Sequence, residues 1–285
     1  MKKHFPARLS LAAGFLAATI CTAAFSQTFT GYSGFIGEQP VEFMLEDNGV
    51  TFDSVLYMYA KYNIPIYAPR VDDALKFHEQ GSGALLNFSE FNRANGTLEG
   101  EWTDASKTET IKISLRKTPD ESGDILQANS TKEHYFRITP LEGCTSKVKV
   151  FDKKTNALLQ VVEGSGEGCG RPGFHVVGVD DYNFDGIDDF SAFAEYFSGS
   201  NSIREYFLFD TKTKKYSSSE IRGISLEFDH ENKIIHETNS CCMGTIVSKK
   251  EYKVVNNKMA LVKKQCFKWD EKKRKLIERN KSTCE

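Results

Sequence analysis

Alternation with a period of two runs through the first third of the chain. Val41, Phe43 and Leu45 alternate with Glu42 and Glu46, and Ile111, Ile113 and Leu115 alternate with Lys112, Ser114 and Arg116. That is the pattern of strands with one buried and one wetted face. Asp47-Asn48-Gly49 and Asn95-Gly96 are residues that tolerate the positive φ of tight hairpins, and the second pair sits between Leu85-Phe88 and Leu98-Trp102. Further strands are expected near 54–60, 62–67 and 75–78, and no helical period is sustained. Residues 27–117 therefore predict an antiparallel meander or small barrel of seven or eight strands.

The polar, breaker-rich stretch 118–124 is the best candidate linker. After it one phrase recurs: an aromatic residue, an Asp, a Lys-rich or Asn-rich turn and a return strand. It occurs at Phe151-Asp152, Phe209-Asp210, Phe228-Asp229 and Trp269-Asp270. Successive copies lie 58, 19 and 41 residues apart, too uneven for an ideal repeat array. Residues 125–285 are expected to form an irregular propeller-like or sandwich-like assembly of hairpins, making the whole chain all-β.

Residues 1–26 change the picture by leaving the fold. Lys2, Lys3 and Arg8 precede a short apolar run, and Ala24-Phe25-Ser26 supplies the small residues of a signal-peptidase site. An exported protein without a membrane anchor, residing in the periplasm, is the expectation. Losing those three cations from the 37 Lys and Arg leaves 34 against 39 acids, a net charge of −5. Nonspecific nucleic-acid binding has no global electrostatic support. The charge is uneven, with 13 Lys or Arg and 5 acids from Ile246 to Glu285, read as solvated hairpin faces or a docking surface.

Six cysteines follow the leader, Cys144, Cys169, Cys241, Cys242, Cys266 and Cys284, an even number in a compartment where disulfides persist. Cys144 with Cys169 closes a compact loop. Adjacent Cys241 and Cys242 are expected to reach outward, separately, to Cys266 and Cys284. Zinc held with His230 and His236 is the competing reading, but the spacing matches no familiar site.

The sharpest motif is Asp181-Tyr182-Asn183-Phe184-Asp185-Gly186-Ile187-Asp188-Asp189. A hard dication needs several oxygens from one tight turn, and the spacing offers the side chains of Asp181, Asn183 and Asp185, the Ile187 carbonyl and Asp189 to calcium. Gly186 takes the bend. The bidentate Glu of a complete EF-hand is replaced by Ala192, and the flanks are strand-like. Between Pro172 and Ile203 there are six acids and no Lys or Arg. A permanently filled structural calcium is expected.

For catalysis the chain offers little: His78, His134, His175, His230 and His236 occur without a nucleophile elbow, an H-E-x-x-H pair or a papain-like cysteine. They read as surface or packing residues, and Tyr57, Tyr59, Tyr62 and Tyr67 as core and rim aromatics of the barrel. A binding protein rather than an enzyme is expected.

From Val179 to Phe190, through Ser198-Gly199-Ser200-Asn201 and Tyr206-Phe207-Leu208-Phe209-Asp210, the chain resembles a family of exported bacterial calcium-loop proteins. Its best understood type inhibits a lysozyme-like peptidoglycan hydrolase and serves as immunity protein to a secreted effector. Gly34-Phe35-Ile36-Gly37, Tyr57-Met58-Tyr59 and Gly100-Glu101-Trp102 are similar to the strand domain that often precedes that segment. The resemblance implies a cell-wall hydrolase as partner, with Ser198, Gly199 and Asn201 as contact residues. In the wider group a Tyr accompanies the Ser-Gly loop, whereas position 202 here is Ser and the next aromatic is Tyr206. A calcium-stabilised envelope scaffold or carbohydrate-binding module is the alternative.

Overall fold

The computed structural model describes residues 28–47, 52–72, 75–92, 95–119, 123–141, 144–163, 173–196, 201–280 and 284. It is all-β, and no α-helix occurs among those residues. The expected signal segment, residues 1–26, lies outside them.

Eight strands make the first sheet: β1 (Thr28–Ile36), β2 (Gln39–Asp47), β3 (Phe52–Tyr59), β4 (Ile66–Pro69), β5 (Lys76–His78), β6 (Leu85–Asn92), β7 (Thr97–Thr103) and β8 (Thr110–Lys117). Their order, β4-β3-β2-β1-β8-β7-β6-β5, is two meanders joined where β1 pairs with β8. The outer strands β4 and β5 meet through an Arg70–Phe77 bridge and a 3.0 Å bond from Val71 N to Lys76 O, so the barrel is nearly closed. At the β1–β8 seam Gly34 has no room for a side chain, because a Cβ there would stand 2.1 Å from Ser114 O. Phe43, Tyr57, Phe77, Leu86, Leu98, Ile113 and Leu115 fill the interior.

The alternation of β8 holds as written, with Ile113 and Leu115 buried and Lys112, Ser114 and Arg116 exposed. In β2 it breaks, since Met44 is buried along with Val41, Phe43 and Leu45. The reason is a second core: Met44, Leu56 and Met58 on the outside of the barrel pack against Ile125, Phe136, Ile138, Val150 and Phe174. Arg137 adds a 2.6 Å ion pair to Glu42 across the same contact.

Three meanders follow, each pairing consecutive strands only. The second sheet holds β9 (Ile125–Leu126), β10 (His134–Leu141), β11 (Cys144–Asp152) and β12 (Leu158–Glu163). The third holds β13 (Val177–Asp180), β14 (Asp189–Tyr196), β15 (Ser202–Asp210) and β16 (Lys215–Ser218). The last holds β17 (Leu226–Asp229), β18 (Ile234–Cys241), β19 (Ile246–Val255), β20 (Lys258–Asp270) and β21 (Lys275–Arg279). The third sheet is buried on both faces: Phe190, Phe207 and Tyr216 join the core shared with the second sheet and barrel, whereas Tyr206 and Leu208 pack with Ile235, Phe228 and Tyr252 of the last sheet.

Candidate functional site

The Asp181–Asp189 segment is the turn between β13 and β14. Asp181 accepts from the N–H of Asp185 (2.9 Å) and of Gly186 (2.7 Å), and Asp185 accepts from Ile187 N (2.9 Å). Asn183 Oδ1 accepts from Asp185 N at 3.2 Å, while its amide donates to Asp185 and to Asn257 Oδ1. Gly186 takes φ 89°, open to glycine at no steric cost. Asp189 lies beneath, 1% exposed, accepting from Tyr182 N (3.1 Å) and Phe209 N (2.8 Å). Burial pushes its carboxyl up to about 7, with Asp185 and Asp181 adding to the rise against its two backbone bonds.

The donor set, three carboxylates with an amide and a carbonyl oxygen, is the chemistry a hard dication takes. Among the described residues, however, no three His, Cys, Asp or Glu side chains are grouped so as to hold a metal. The carboxylates of Asp181 and Asp185 hold the turn's own N–H groups instead.

The missing cations are a property of the linear segment only. In space His230 Nε2 stands 2.9 Å from Asp180, Lys153 faces Asp188, and Lys233 donates to Phe184 O at 3.1 Å. Those basic side chains come from other strands' turns and were invisible in a local count. Lys153 faces Asp188 and His230 hydrogen-bonds Asp180, two acids outside the expected ligand positions, whereas Lys233 meets a carbonyl. Among the described residues no ion pair reaches Asp181, Asp185 or Asp189.

Ser198 and Gly199 lie outside the described residues. Asn201 is described, and it is buried: its amide donates to Ser240 O (2.8 Å) and Asn239 Oδ1 (3.3 Å), and its Oδ1 accepts from Ser240 N (3.2 Å). Its side chain therefore anchors the start of β15 to β18 instead of lying on the surface. The acidic turn precedes β14 and Asn201 stands beside its far end, about 25 Å away at strand rise. The terminal sheet, rather than the acidic turn, secures the start of β15. Asn239 and Ser240 carried no signal in the sequence, because their pairing with Asn201 spans 38 and 39 residues.

The expected cysteine pairing fails in the last sheet. Cys266 bonds Cys284, with Cα atoms 5.8 Å apart, and Cys241 bonds Cys242. Cys241 lies on β18, two strands from Cys266 on β20. That separation is about 10 Å, beyond disulfide reach. With Cys266 taken by Cys284, the adjacent pair is left to itself at the β18–β19 tip. Cys169, and hence the Cys144–Cys169 pairing, lies outside the described residues.

The histidines scatter. His134 is buried with Nδ1 3.0 Å from Tyr216 Oη, His175 stands edge-on to Tyr67, and His236 is 3.9 Å from Asp229. Tyr57 is core and Tyr62 exposed. A group missed in the sequence is Glu79, buried in the barrel and accepting from Tyr57 Oη, Ser82 Oγ and Trp102 Nε1. Burial, with Glu79 beside it, holds the Tyr57 hydroxyl protonated.

No family model matches the chain, and no curated protein matches it. Among solved structures it is similar to a candidate 6-phosphogluconolactonase from Bacteroides uniformis, at 10% identity over 90% of this chain and 96% of the other, with a TM-score of 0.26. A likeness that low carries no argument. No helix among the described residues is long and apolar enough to cross a membrane.

Proposed function

We propose that this is an exported calcium-binding protein of the periplasm that inhibits a lysozyme-like cell-wall hydrolase, acting as immunity protein to a secreted effector. The target class comes from the resemblance of the Val179–Asp210 segment and the strand domain before it. The observation that carries the calcium part is the selective lack of basic partners: Asp180 and Asp188 face His230 and Lys153, while no ion pair reaches Asp181, Asp185 or Asp189 among the described residues. A bound dication would neutralise the three carboxylates that these side chains leave out and would draw them from the backbone onto itself. Asp181, Asn183, Asp185, the Ile187 carbonyl and Asp189 would hold it; its role is to stiffen the turn.

Calorimetric titration of calcium into chelator-treated protein tests this, with one ion per chain expected and uptake lost in Asp181→Ala and Asp185→Ala. Undiminished stoichiometry in both variants refutes the site. Inhibition is tested by adding the protein to purified muramidases, including any encoded beside it.

A second reading, a carbohydrate-binding module, has one observation in its favour. A groove of about 440 Å³ beside the acidic turn is walled by Asn183, Ser217, Ser219, Asn257 and Lys258, a mixture of donors and acceptors suited to hydroxyl groups. A saccharide-dependent rise in Tm would favour it.

A further inference from the structure

The two ends of the last sheet differ in chemistry. Cys241, Ile246, Lys268 and Ile277 form one row across β18 to β21. Beyond that row, on one side, lie the β18–β19 tip and the β20–β21 turn, held together where Trp269 N donates to Thr245 O at 2.7 Å. The bonds from Asn201 to Asn239 and Ser240 bring the start of β15 toward this same end. The acidic turn is at the other, against Asn257 and Lys233.

At the tip Met243 is 102% exposed, the most exposed of the large apolar side chains described. Cys242, Met243 and Gly244 are all left-handed, at φ 57°, 58° and 79°, and the first two pay a steric cost for it. The Cys241–Cys242 bond ties that turn down. The fold thus spends conformational energy to hold an apolar side chain out in water, which no core packing rewards. Beside it Trp269 and Leu276, paired in register, are also exposed.

Cations gather on the neighbouring β20–β21 hairpin. Lys268, Lys272, Lys273, Arg274 and Lys275 are exposed, and none has an ion pair among the described residues. The nearby Asp270 is occupied, accepting from Lys273 N (3.0 Å) and facing Arg279 (3.4 Å).

We propose that this end is the surface that blocks the hydrolase, with Met243 seated in the partner's substrate cleft and Lys272, Lys273 and Arg274 facing its carboxylates. The proposal rests on the inhibitor reading and commits to the cleft of a lysozyme-like enzyme as occupant. Such a cleft carries a pair of carboxyl groups roughly 5 to 10 Å apart, flanking the scissile bond. An apolar knob with unpaired cations on the neighbouring hairpin complements it in charge. A tip already fixed by a covalent bond and by the neighbouring strand loses little freedom on docking.

The experiment measures inhibition constants of the mature, calcium-loaded chain against a panel of purified muramidases, including any encoded beside it. Met243→Glu, and separately the Lys272→Glu, Lys273→Glu, Arg274→Glu triple variant, should each weaken inhibition about tenfold or more. Tm and calcium uptake should stay unchanged, and the wild type should weaken as salt rises. Lys253→Glu, an equal kind of charge change toward the other end of the sheet, should leave inhibition unaltered. If a muramidase is inhibited and both tip variants stay within about twofold of wild type, the surface assignment is overturned while the inhibitor reading stands. If none is inhibited by the wild type, that reading fails and takes the proposal with it.

Discussion

Asp152, Asp210, Asp229 and Asp270 each open a turn and hold its N–H groups with their own carboxylates. Asp152 accepts from Lys154 N and Thr155 N, Asp210 from Lys212 N, Asp229 from Asn232 N and Asp270 from Lys273 N. These bonds favour the charged form, and the Asp152, Asp210 and Asp229 carboxyls sit below the usual range, chiefly through Thr155, Lys212 and Asn232. Four residues on, the chain is left-handed at Asn156 (φ 59°), Lys214 (57°), Lys233 (53°) and Arg274 (50°). One turn geometry therefore underlies the aromatic-Asp phrase. The phrase was legible because Asp is chemically suited to its position; the left-handed site was not, because Lys and Arg do not announce it. A side chain there costs about 1 kcal/mol that glycine avoids, partly offset by glycine's freedom when unfolded. Lys214→Gly should therefore raise stability by roughly 0.5 kcal/mol, seen as a higher urea midpoint at constant slope. A lower midpoint would show that Lys214 makes a stabilising contact.

Elements were readable where strands were local neighbours. The Asn95-Gly96 hairpin lies between β6 and β7 as expected, and β3 and β5 match the expected segments within two residues. What the pattern could not carry was the packing of one element on another: Met44 points to a sheet that begins eighty residues later, and the disulfides follow the register of β18 to β21. Asn201 shows the consequence for the candidate site. Sequence similarity marks it as a contact residue, but its side chain is spent on three bonds to β18. Asn201→Ala would leave the Ser240 N–H and carbonyl without those partners, costing about 1–3 kcal/mol. Its Tm should fall, and any loss of inhibition should be recovered at lower temperature. Weakened binding at unchanged Tm would instead return Asn201 to the contact surface.

Across the whole molecule the largest core joins the outside of the barrel to the second and third sheets, and the third sheet is shared in turn with the last. The barrel fills its own interior but leaves its outer face to the second and third sheets, and the third sheet shares a core with the last, so the described parts should unfold together rather than sheet by sheet. His134 sits in this shared region, starting β10, against Phe209 and with its ring against Tyr216 of the third sheet. Burial holds its pKa below 6.5, outweighing the nearby carboxylates of Asp152 and Glu133. The sign follows from linkage: above the unfolded value both states are neutral and the contribution of the buried ring is fully present. As pH falls through 6.5 and toward the depressed folded pKa, the unfolded chain takes the proton first, so stability is lost. Melting of the wild type from about pH 7.5 to about pH 5 should show a falling Tm in a single transition, and His134→Gln should flatten that slope while keeping a polar partner for Tyr216. An unchanged slope in the variant would place the acid sensitivity elsewhere, and two separate transitions would break the claim that the barrel and the three sheets share one core.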